Sequence, residues 1–163
     1  MKNDFFKNAG SLGVWVLLCF ITGAIGAIAS VDANEFYASL SQPSWAPPAS
    51  VFGPVWSMLF LLMAVSAWLI WLRGGIKAHI RAFKFFIAQL VLNALWSWVF
   101  FAWHQGGWAL LNVVLLWALI VATMISFYRI RPLAAYLLVP YLVWISFATI
   151  LNYSLWQLNP QML

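Results

Sequence analysis

The chain has 163 residues, of which 66% are hydrophobic and only 7% are charged, with a formal net charge of +5. A soluble domain carries roughly 25% charged residues, so this composition argues against a separate soluble domain. The length accommodates several membrane spans of about 20 residues each and little else, which predicts one helical membrane domain over residues 1–163. The single cysteine, Cys19, allows neither an intrachain disulfide nor a cysteine metal site.

The first predicted element is an apolar run over residues 12–31, which follows a short basic start. A secretory signal is the alternative, because Ala27-Ile28-Ala29 resembles a cleavage site. The run is longer than the usual apolar region of roughly 7–15 residues, so we expect a first transmembrane helix. Gly23 and Ala27 lie four residues apart and favour close contact with another helix, although small residues are common in membrane helices generally.

A polar connection over residues 32–50 separates the first two apolar runs. Three prolines within residues 43–48 each fix φ and remove a backbone donor, so that part cannot hold a helix. Trp45 lies in its middle. We expect the connection over residues 32–50, called the lid below, to form a stiff aromatic segment at the mouth of a membrane bundle. Ser50 is the predicted N-cap of the second span, residues 51–72.

The second half of the chain contains a stretch without charge, residues 85–128, that is too long for one span. His104-Gln105-Gly106-Gly107 divides it. The remaining spans are predicted at residues 81–102, 107–128 and 133–156. Pro140 lies inside the last of these and predicts a kink, because an internal proline removes a helical hydrogen bond. The predicted fold is an all-α membrane protein, a bundle of five transmembrane helices with a proline-rich lid between helices 1 and 2.

The positive charges are distributed unevenly between the two sides of this bundle. All eight lysine and arginine residues fall at the N-terminus or in the loops near residues 73–84 and 129–131. The lid, the 103–107 loop and the C-terminus carry none. The positive-inside rule therefore predicts a cytoplasmic N-terminus and a lid on the opposite side. A different number of spans would scatter these charges over both sides, which supports a count of five.

Three of the predicted helices carry aromatic and polar side chains along one face, which indicates a pocket beneath the lid. The faces contain Gln89, Asn93, Trp96, Ser97 and Phe100 in the third span, Trp144, Ala148 and Asn152 in the fifth, and Trp56, Phe60 and Met63 in the second. An amide in lipid must face a partner or a cavity, so the three amides should point inward. Interhelical hydrogen bonds are the alternative role for the amides, and anchoring at the lipid interface is the alternative for most tryptophans.

Other kinds of site lack their usual residues. Apart from Arg81 and Lys84 at the start of the third span, no charged residue lies within a span, which argues against proton relays and ion-coupled pumps. His79 and His104 are predicted on opposite sides, so we expect no metal site. Residues for acid–base or nucleophilic catalysis are not evident. An apolar aromatic cavity with a few amides suits a flat hydrophobic ligand.

Three sets of motifs cover nearly the whole length of the chain. They are Pro43-Ser44-Trp45-Ala46-Pro47-Pro48 with Val55-Trp56, Gln89-Leu90-x-Leu92-Asn93-x-x-Trp96-Ser97, and Pro140-Tyr141-x-x-Trp144 with Leu151-Asn152. In these motifs the chain resembles the TspO/MBR family, which includes the translocator proteins and peripheral benzodiazepine receptors. The resemblance implies a five-helix membrane bundle, often dimeric. It further implies binding of porphyrins and, in animal members, of sterols and benzodiazepine-site drugs. The short termini fit a bacterial member in the inner membrane.

The resemblance also implies a set of ligand-binding residues. These are Tyr37, Pro47, Trp56, Phe60, Asn93, Trp96, Trp144 and Ala148. The helical spacing of the third span adds Ser97. The family's C-terminal sterol-recognition pattern is incomplete here, because Leu151 and Tyr153 match but no lysine or arginine follows. Sterol binding by that route is therefore in doubt.

Three functions remain open from the sequence. The pocket favours binding, with transport or sensing, of tetrapyrroles such as protoporphyrin IX. Light-dependent degradation of a porphyrin is the second, with Trp56 and Trp144 as candidate electron donors. A structural or partner-regulating role is the third. The clustering of aromatic and amide side chains on helix faces that point toward one another counts against it. The expected partners are a hydrophobic small molecule, the lipid membrane and a second copy of the chain, with no cofactor and no nucleic acid.

Overall fold

A computed structural model describes the backbone of residues 2–163 and the side chains from Gly10 onward. The described part contains eight α-helices. They are α1 Lys2–Ile28, α2 Ala33–Ser39, α3 Phe52–Trp71, α4 Gly75–Ala78, α5 Ile80–Ser97, α6 Gly106–Tyr128, α7 Pro132–Tyr136 and α8 Val139–Leu158. A 3-10 turn, Ala49–Val51, precedes α3, and a π-helical turn, Trp98–Ala102, extends α5.

Five segments in the described part are long and apolar enough to cross a membrane. They are Gly10–Ile28, Ala49–Trp71, Ile80–Ala102, Gly106–Tyr128 and Pro132–Leu158. The prediction of an all-α bundle with five spans is confirmed. The first span ends three residues earlier than predicted, at a turn in which the Ser30 amide donates to the Ala27 carbonyl at 3.0 Å.

The prediction that Ser50 caps the second span is wrong. Ser50 lies within the 3-10 turn, and α3 begins at Phe52 without a side-chain cap. The turn is formed by backbone groups instead, since the Val51 amide donates to the Pro48 carbonyl at 3.0 Å. Pro48 itself is extended, with ψ of 148°, so the chain enters the turn directly from the proline segment.

The predicted kink at Pro140 is also wrong in its position. The fifth span is interrupted before the proline, between the end of α7 at Tyr136 and the start of α8 at Val139. Pro140 occupies the first turn of α8, where a missing N–H costs no intrahelical hydrogen bond. Ser66 of α3 donates to the Ala134 carbonyl at 2.6 Å and fastens the interrupted region to the bundle.

The spans form a ring around an internal space. Helix α1 packs between α3 and α5, α6 packs between α5 and α8, and α7 closes the ring against α3. We call the end that holds the lid, the 103–105 loop and the C-terminus the lid end, and the opposite end the charged end. Contacts join the three parts of the lid end: Phe36 stacks on His104 with ring centroids 4.2 Å apart, and Ser41 is hydrogen-bonded to Asn159.

Two clusters of buried side chains fill this ring above and below a central gap. The larger cluster occupies the half toward the charged end and includes the stacked pair Phe86 and Phe127, with centroids 5.8 Å apart. The smaller cluster lies toward the lid and includes Tyr37, Phe100 and Leu155. Members of both clusters border the cavity between them, which places the candidate site in the lid half of the bundle.

Candidate ligand-binding cavity

The gap between the two clusters is a cavity of about 550 Å³. Its walls come from α1, α2, α3, α5, α6 and α8, and its lining is mostly apolar and aromatic. Small-molecule sites in proteins typically enclose about 300–1,000 Å³ and place a few polar groups in an apolar wall. This cavity has the size and chemistry to hold a flat hydrophobic molecule.

Eight of the nine predicted ligand-binding residues line this cavity. They are Tyr37, Trp56, Phe60, Asn93, Trp96, Ser97, Trp144 and Ala148. The ninth, Pro47, lies behind the wall, where its carbonyl accepts a hydrogen bond from the Tyr37 hydroxyl at 3.0 Å. The structure therefore brings residues from α2, α3, α5 and α8 together in the cavity wall. Pro47 contributes only through its hydrogen bond with Tyr37.

The aromatic walls are held by ring contacts among themselves. Trp56 stacks on Phe60 with centroids 5.5 Å apart and meets the Tyr141 ring edge-on at 6.2 Å. Trp144 is held edge-on by Phe52 at 5.8 Å. Such arrangements each contribute about 0.5–1.5 kcal/mol beyond burial, so both indoles are positioned before any ligand arrives.

The wall formed by α1 was not predicted as part of the site. Gly23 and Gly26 line the cavity, and their lack of side chains leaves room for groups from other helices. A Cβ at Gly23 would lie 2.6 Å from Cε2 of Phe60, and one at Gly26 would lie 3.0 Å from Oγ of Ser97. The spacing of small residues did predict close helix contact. It did not indicate that the contact borders a cavity.

The three amides predicted to point inward are buried, with exposed fractions of 1% for Gln89, 7% for Asn93 and 1% for Asn152. Asn93 donates from Nδ2 to the Tyr141 hydroxyl at 3.0 Å, and that hydroxyl donates to Oε1 of Gln89 at 2.9 Å. Nε2 of Gln89 faces Sδ of Met63 at 3.8 Å. Tyr141, which the analysis of helical faces did not select, is thus the hub of the polar contacts below the cavity.

The lid is tied to the bundle at several points. Asn159 accepts from the Ser41 amide at 2.8 Å and donates back to the Ser41 carbonyl at 2.9 Å. Trp45 packs edge-on against Phe147 of α8, with centroids 5.8 Å apart. Burial raises the pKa of the Tyr37 hydroxyl above its ordinary value of about 10, which keeps the proton that it donates to Pro47.

The sequence profile of the TspO/MBR family matches residues 15–157. This chain belongs to the TspO/MBR family. It is 38% identical to the human Translocator protein over 156 residues, which cover 94% of this chain and 88% of the relative. It is 39% identical to the Tryptophan-rich protein TspO of Chlorobaculum tepidum, with 94% and 99% covered. Identity to the Tryptophan-rich sensory protein of Cereibacter sphaeroides is 36%, with 89% and 92% covered.

Membership of the TspO/MBR family, together with the five apolar helices, makes this chain a multi-pass integral membrane protein. The family motifs recognised in the sequence converge on the cavity. Trp56 comes from the motif that follows the lid, Asn93 and Trp96 from the α5 motif, and Trp144 and Asn152 from the α8 motif.

The incomplete sterol-recognition pattern does not form one surface in this TspO/MBR chain. Leu151 is buried and lines the cavity, whereas Tyr153, two residues later on the same helix, is 52% exposed on the outside of the bundle. The two matching positions therefore face different surroundings, and a single molecule on one side of α8 cannot contact both.

The two histidines lie far apart. His79 follows α4 at the charged end, where its Nε2 is 3.1 Å from the Arg73 carbonyl, and His104 stacks on Phe36 at the lid end. Among the residues that the structure describes, no three His, Cys, Asp or Glu side chains are grouped so as to hold a metal ion.

Proposed function

We propose that this protein is a membrane receptor or translocator that binds porphyrins, such as protoporphyrin IX, and related flat hydrophobic molecules in the cavity. The observation that carries the proposal is the placement of Trp56 and Trp144, from α3 and α8, in the wall of one 550 Å³ cavity beneath the lid. Stacking on an indole contributes about 0.5–1.5 kcal/mol beyond the area buried, so a flat macrocycle gains from both rings.

The test is a titration of the purified protein with protoporphyrin IX in the dark, followed by quenching of tryptophan fluorescence. We expect Trp56→Ala and Trp144→Ala each to weaken binding about tenfold, from the lost stacking and apolar contact. Trp108→Ala is the matched control, because Trp108 is 67% exposed and does not line the cavity. Equal affinities for all three variants would reject the site.

Light-dependent degradation of a bound porphyrin is the second candidate function. It is favoured by the two indoles in the cavity wall, since an indole can give one electron to a photoexcited porphyrin, with dioxygen as co-reactant for ring opening. Trp56→Phe and Trp144→Phe keep an aromatic ring but are much harder to oxidise. Under illumination these variants should form less photoproduct at equal porphyrin occupancy. An unchanged product yield would reject the tryptophan mechanism and leave dark binding unaffected.

We also propose an inner-membrane location in a bacterium, with the N-terminus in the cytoplasm. The support is the placement of all eight lysine and arginine residues at the N-terminus or at the charged end of the bundle. Reporter fusions at Met1 and Leu163 test this orientation, and reporters active in the same compartment at both ends would contradict it.

A homodimer is proposed from family membership alone, and sterols are retained only as weak ligands. Cross-linking of the protein in native membranes, compared with detergent at low protein concentration, tests the dimer. A monomer under both conditions would reject it.

A further inference from the structure

Three aromatic rings in contact lead from the cavity wall to the outer surface of the lid. Trp144 lines the cavity, and its ring centroid lies 5.4 Å from that of Phe147, three residues further along α8. Phe147 in turn meets the indole of Trp45 edge-on, with centroids 5.8 Å apart. Trp45 lies outside the five spans and is 46% exposed. One phenyl ring therefore separates an indole in the cavity wall from an indole at the surface.

The lid holds Trp45 in this position. The Ala46 amide donates to the Pro43 carbonyl at 2.9 Å and closes a turn that contains Trp45. Prolines on both sides of this turn fix the backbone φ, which keeps the segment stiff. The hydrogen bonds between Ser41 and Asn159 attach the same loop to the end of α8. The contact between Trp45 and Phe147 is thus supported by the backbone of the lid as well as by the two rings.

Trp144 is suited to pass on a positive charge that it acquires. Its Nε1 is buried and has no hydrogen-bond partner among the described residues. No described protein group is therefore placed to accept the N–H proton when this indole loses an electron, and its radical cation keeps its charge. A charge in an apolar wall costs free energy that it does not cost in water. The exposed indole of Trp45 is the more favourable place for the charge, and water there accepts the N–H proton.

Trp56, the other candidate electron donor, has no comparable route. Its ring contacts lead to Phe60 and Tyr141. Tyr141 is 1% exposed, and its hydroxyl donates to an amide oxygen, which is too weak a base to keep the proton that a phenol loses on oxidation. Phe60 leads on to Phe20, and a phenyl ring is much harder to oxidise than an indole. A positive charge on Trp56 therefore meets no oxidisable ring that opens to water.

The remaining ring contacts of the cavity wall also fail to reach a surface indole. Trp144 meets Phe52, which leads to Tyr37, but Tyr37 is buried and donates its proton to a backbone carbonyl that cannot keep it. Trp96 contacts two phenylalanine rings of the π-helical turn, and among the described residues those rings contact no other indole. The contact through Phe147 is thus the route that joins a cavity indole to an indole in water.

We propose that Trp45 is a redox exit for the cavity, which returns an electron across Phe147 to Trp144 after Trp144 has reduced a photoexcited porphyrin. This rests on the second candidate function, light-dependent degradation of a bound porphyrin. It assigns unequal roles to the two cavity indoles, because only the charge on Trp144 is carried out of the site. It also names a further partner, a water-soluble one-electron reductant of the enediol class, such as ascorbate, that acts at the outer face of the lid.

The electrons and protons of the cycle balance. The photoexcited porphyrin gains one electron from Trp144, and Trp144 recovers one electron from Trp45. The Trp45 radical cation releases its N–H proton to water and becomes a neutral indolyl radical. Ascorbate reduces that radical by one electron, and a proton from water restores the N–H. The porphyrin radical anion gives its extra electron to dioxygen, so that each cycle moves one electron from ascorbate to dioxygen and leaves both indoles intact.

The test is laser-flash excitation of protoporphyrin IX bound to the full chain in detergent micelles, with transient absorption to distinguish the indole radical cation from the neutral indolyl radical. In the wild type we expect the cation to appear first and the neutral radical to replace it. Ascorbate should shorten the lifetime of the neutral radical. In Trp45→Phe the charge should stay on Trp144 and return to the porphyrin anion, with loss of the neutral radical.

Three further variants separate electron transfer from packing of the lid, and all are compared at equal porphyrin occupancy. Trp45→Tyr keeps an oxidisable ring at the surface and should form a tyrosyl radical in place of the neutral indolyl radical. Phe147→Leu removes the intervening ring and should slow the conversion. Trp103→Phe is the matched control, because Trp103 is also exposed at the lid end, at 55%, and does not line the cavity. It should behave as the wild type.

The outcomes distinguish this inference from the function on which it rests. An unchanged yield of neutral radical in Trp45→Phe would overturn the exit and leave electron donation by Trp144 in place. Absence of a tyrosyl radical in Trp45→Tyr, or an equal loss of neutral radical in Trp103→Phe, would also overturn it. Absence of any indole radical in the wild type with porphyrin bound would overturn both the exit and the light-dependent reaction, while dark binding would still support the cavity as a site.

Discussion

Asn152 accepts a hydrogen bond from the indole of Trp96 at 3.0 Å and donates its own Nδ2 to the carbonyl of Gly106 at 3.1 Å. One side chain on α8 thereby connects α5 and the first residue of α6. Trp96 and Asn152 both line the cavity, so this contact sets one edge of the site as well as the spacing of three helices.

Asn152→Leu should lower the free energy of unfolding by about 1–2 kcal/mol, because it leaves the Trp96 indole N–H without a partner in an apolar setting and removes the hydrogen bond to the Gly106 carbonyl. Asn112→Leu on α6 is the matched control. Asn112 is also buried, but its Oδ1 already lacks a partner among the described residues, so its loss should be neutral or stabilising. Unfolding in mixed micelles measures both variants, and equal losses would contradict the role of Asn152.

Gly23→Ala should weaken porphyrin binding about threefold to tenfold. The added Cβ would lie 2.6 Å from Cε2 of Phe60, so the Phe60 ring must shift and its stacking on Trp56 is disturbed. Gly13→Ala on the same helix is the control, because a Cβ there meets nothing within 4 Å and raises helix propensity. Fluorescence titration measures both variants. Unaltered binding by Gly23→Ala would show that the α1 wall does not shape the site.

Asn159→Ala should speed ligand release without a large change in association. The side chain makes two hydrogen bonds to the backbone of Ser41, and their loss should weaken the attachment of the lid by about 2 kcal/mol at most. Stopped-flow release of protoporphyrin IX should become about tenfold faster. Gln157→Ala, an exposed change in the last turn of α8, should leave the rate unaltered. An unaltered rate in Asn159→Ala would indicate that the lid does not control exit.

The attachment of the lid should weaken at alkaline pH. Burial raises the pKa of Tyr37, so the neutral form is favoured in the folded lid. This contribution to stability is complete below the unfolded pKa of about 10 and is lost as the pH rises through the folded value. Ionisation also removes the proton donated to the Pro47 carbonyl. Ligand release should accelerate above pH 10 in the wild type, and Tyr37→Phe should abolish this acceleration. If release from Tyr37→Phe accelerates equally above pH 10, another group is responsible for the acceleration.

Much of the fold could be predicted because lipid imposes simple rules on sequence. Apolar runs long enough to cross a bilayer identify the spans, and an amide within them must find a partner inside the protein. Gln89, Asn93 and Asn152 are buried for that reason. Ser50 and Pro140 show where local rules failed. Backbone hydrogen bonds formed the turn before α3, and the break before α8 put the proline where a helix tolerates it.

The sequence by itself determined the five spans, the uneven distribution of charge, the lid and most of the aromatic residues that line the cavity. Only the tertiary structure decided which groups meet. The hydrogen-bonded pairs Gln89–Met63, Asn93–Tyr141 and Tyr141–Gln89 are 26 to 52 residues apart in sequence. Whether these side chains meet depends on the rotation and depth at which α3, α5 and α8 pack. Helical periodicity specifies the face on which a side chain lies. It does not specify the neighbouring helix against which that face packs, and so it could not reveal the α1 wall or the hydrogen-bond partners of Tyr141.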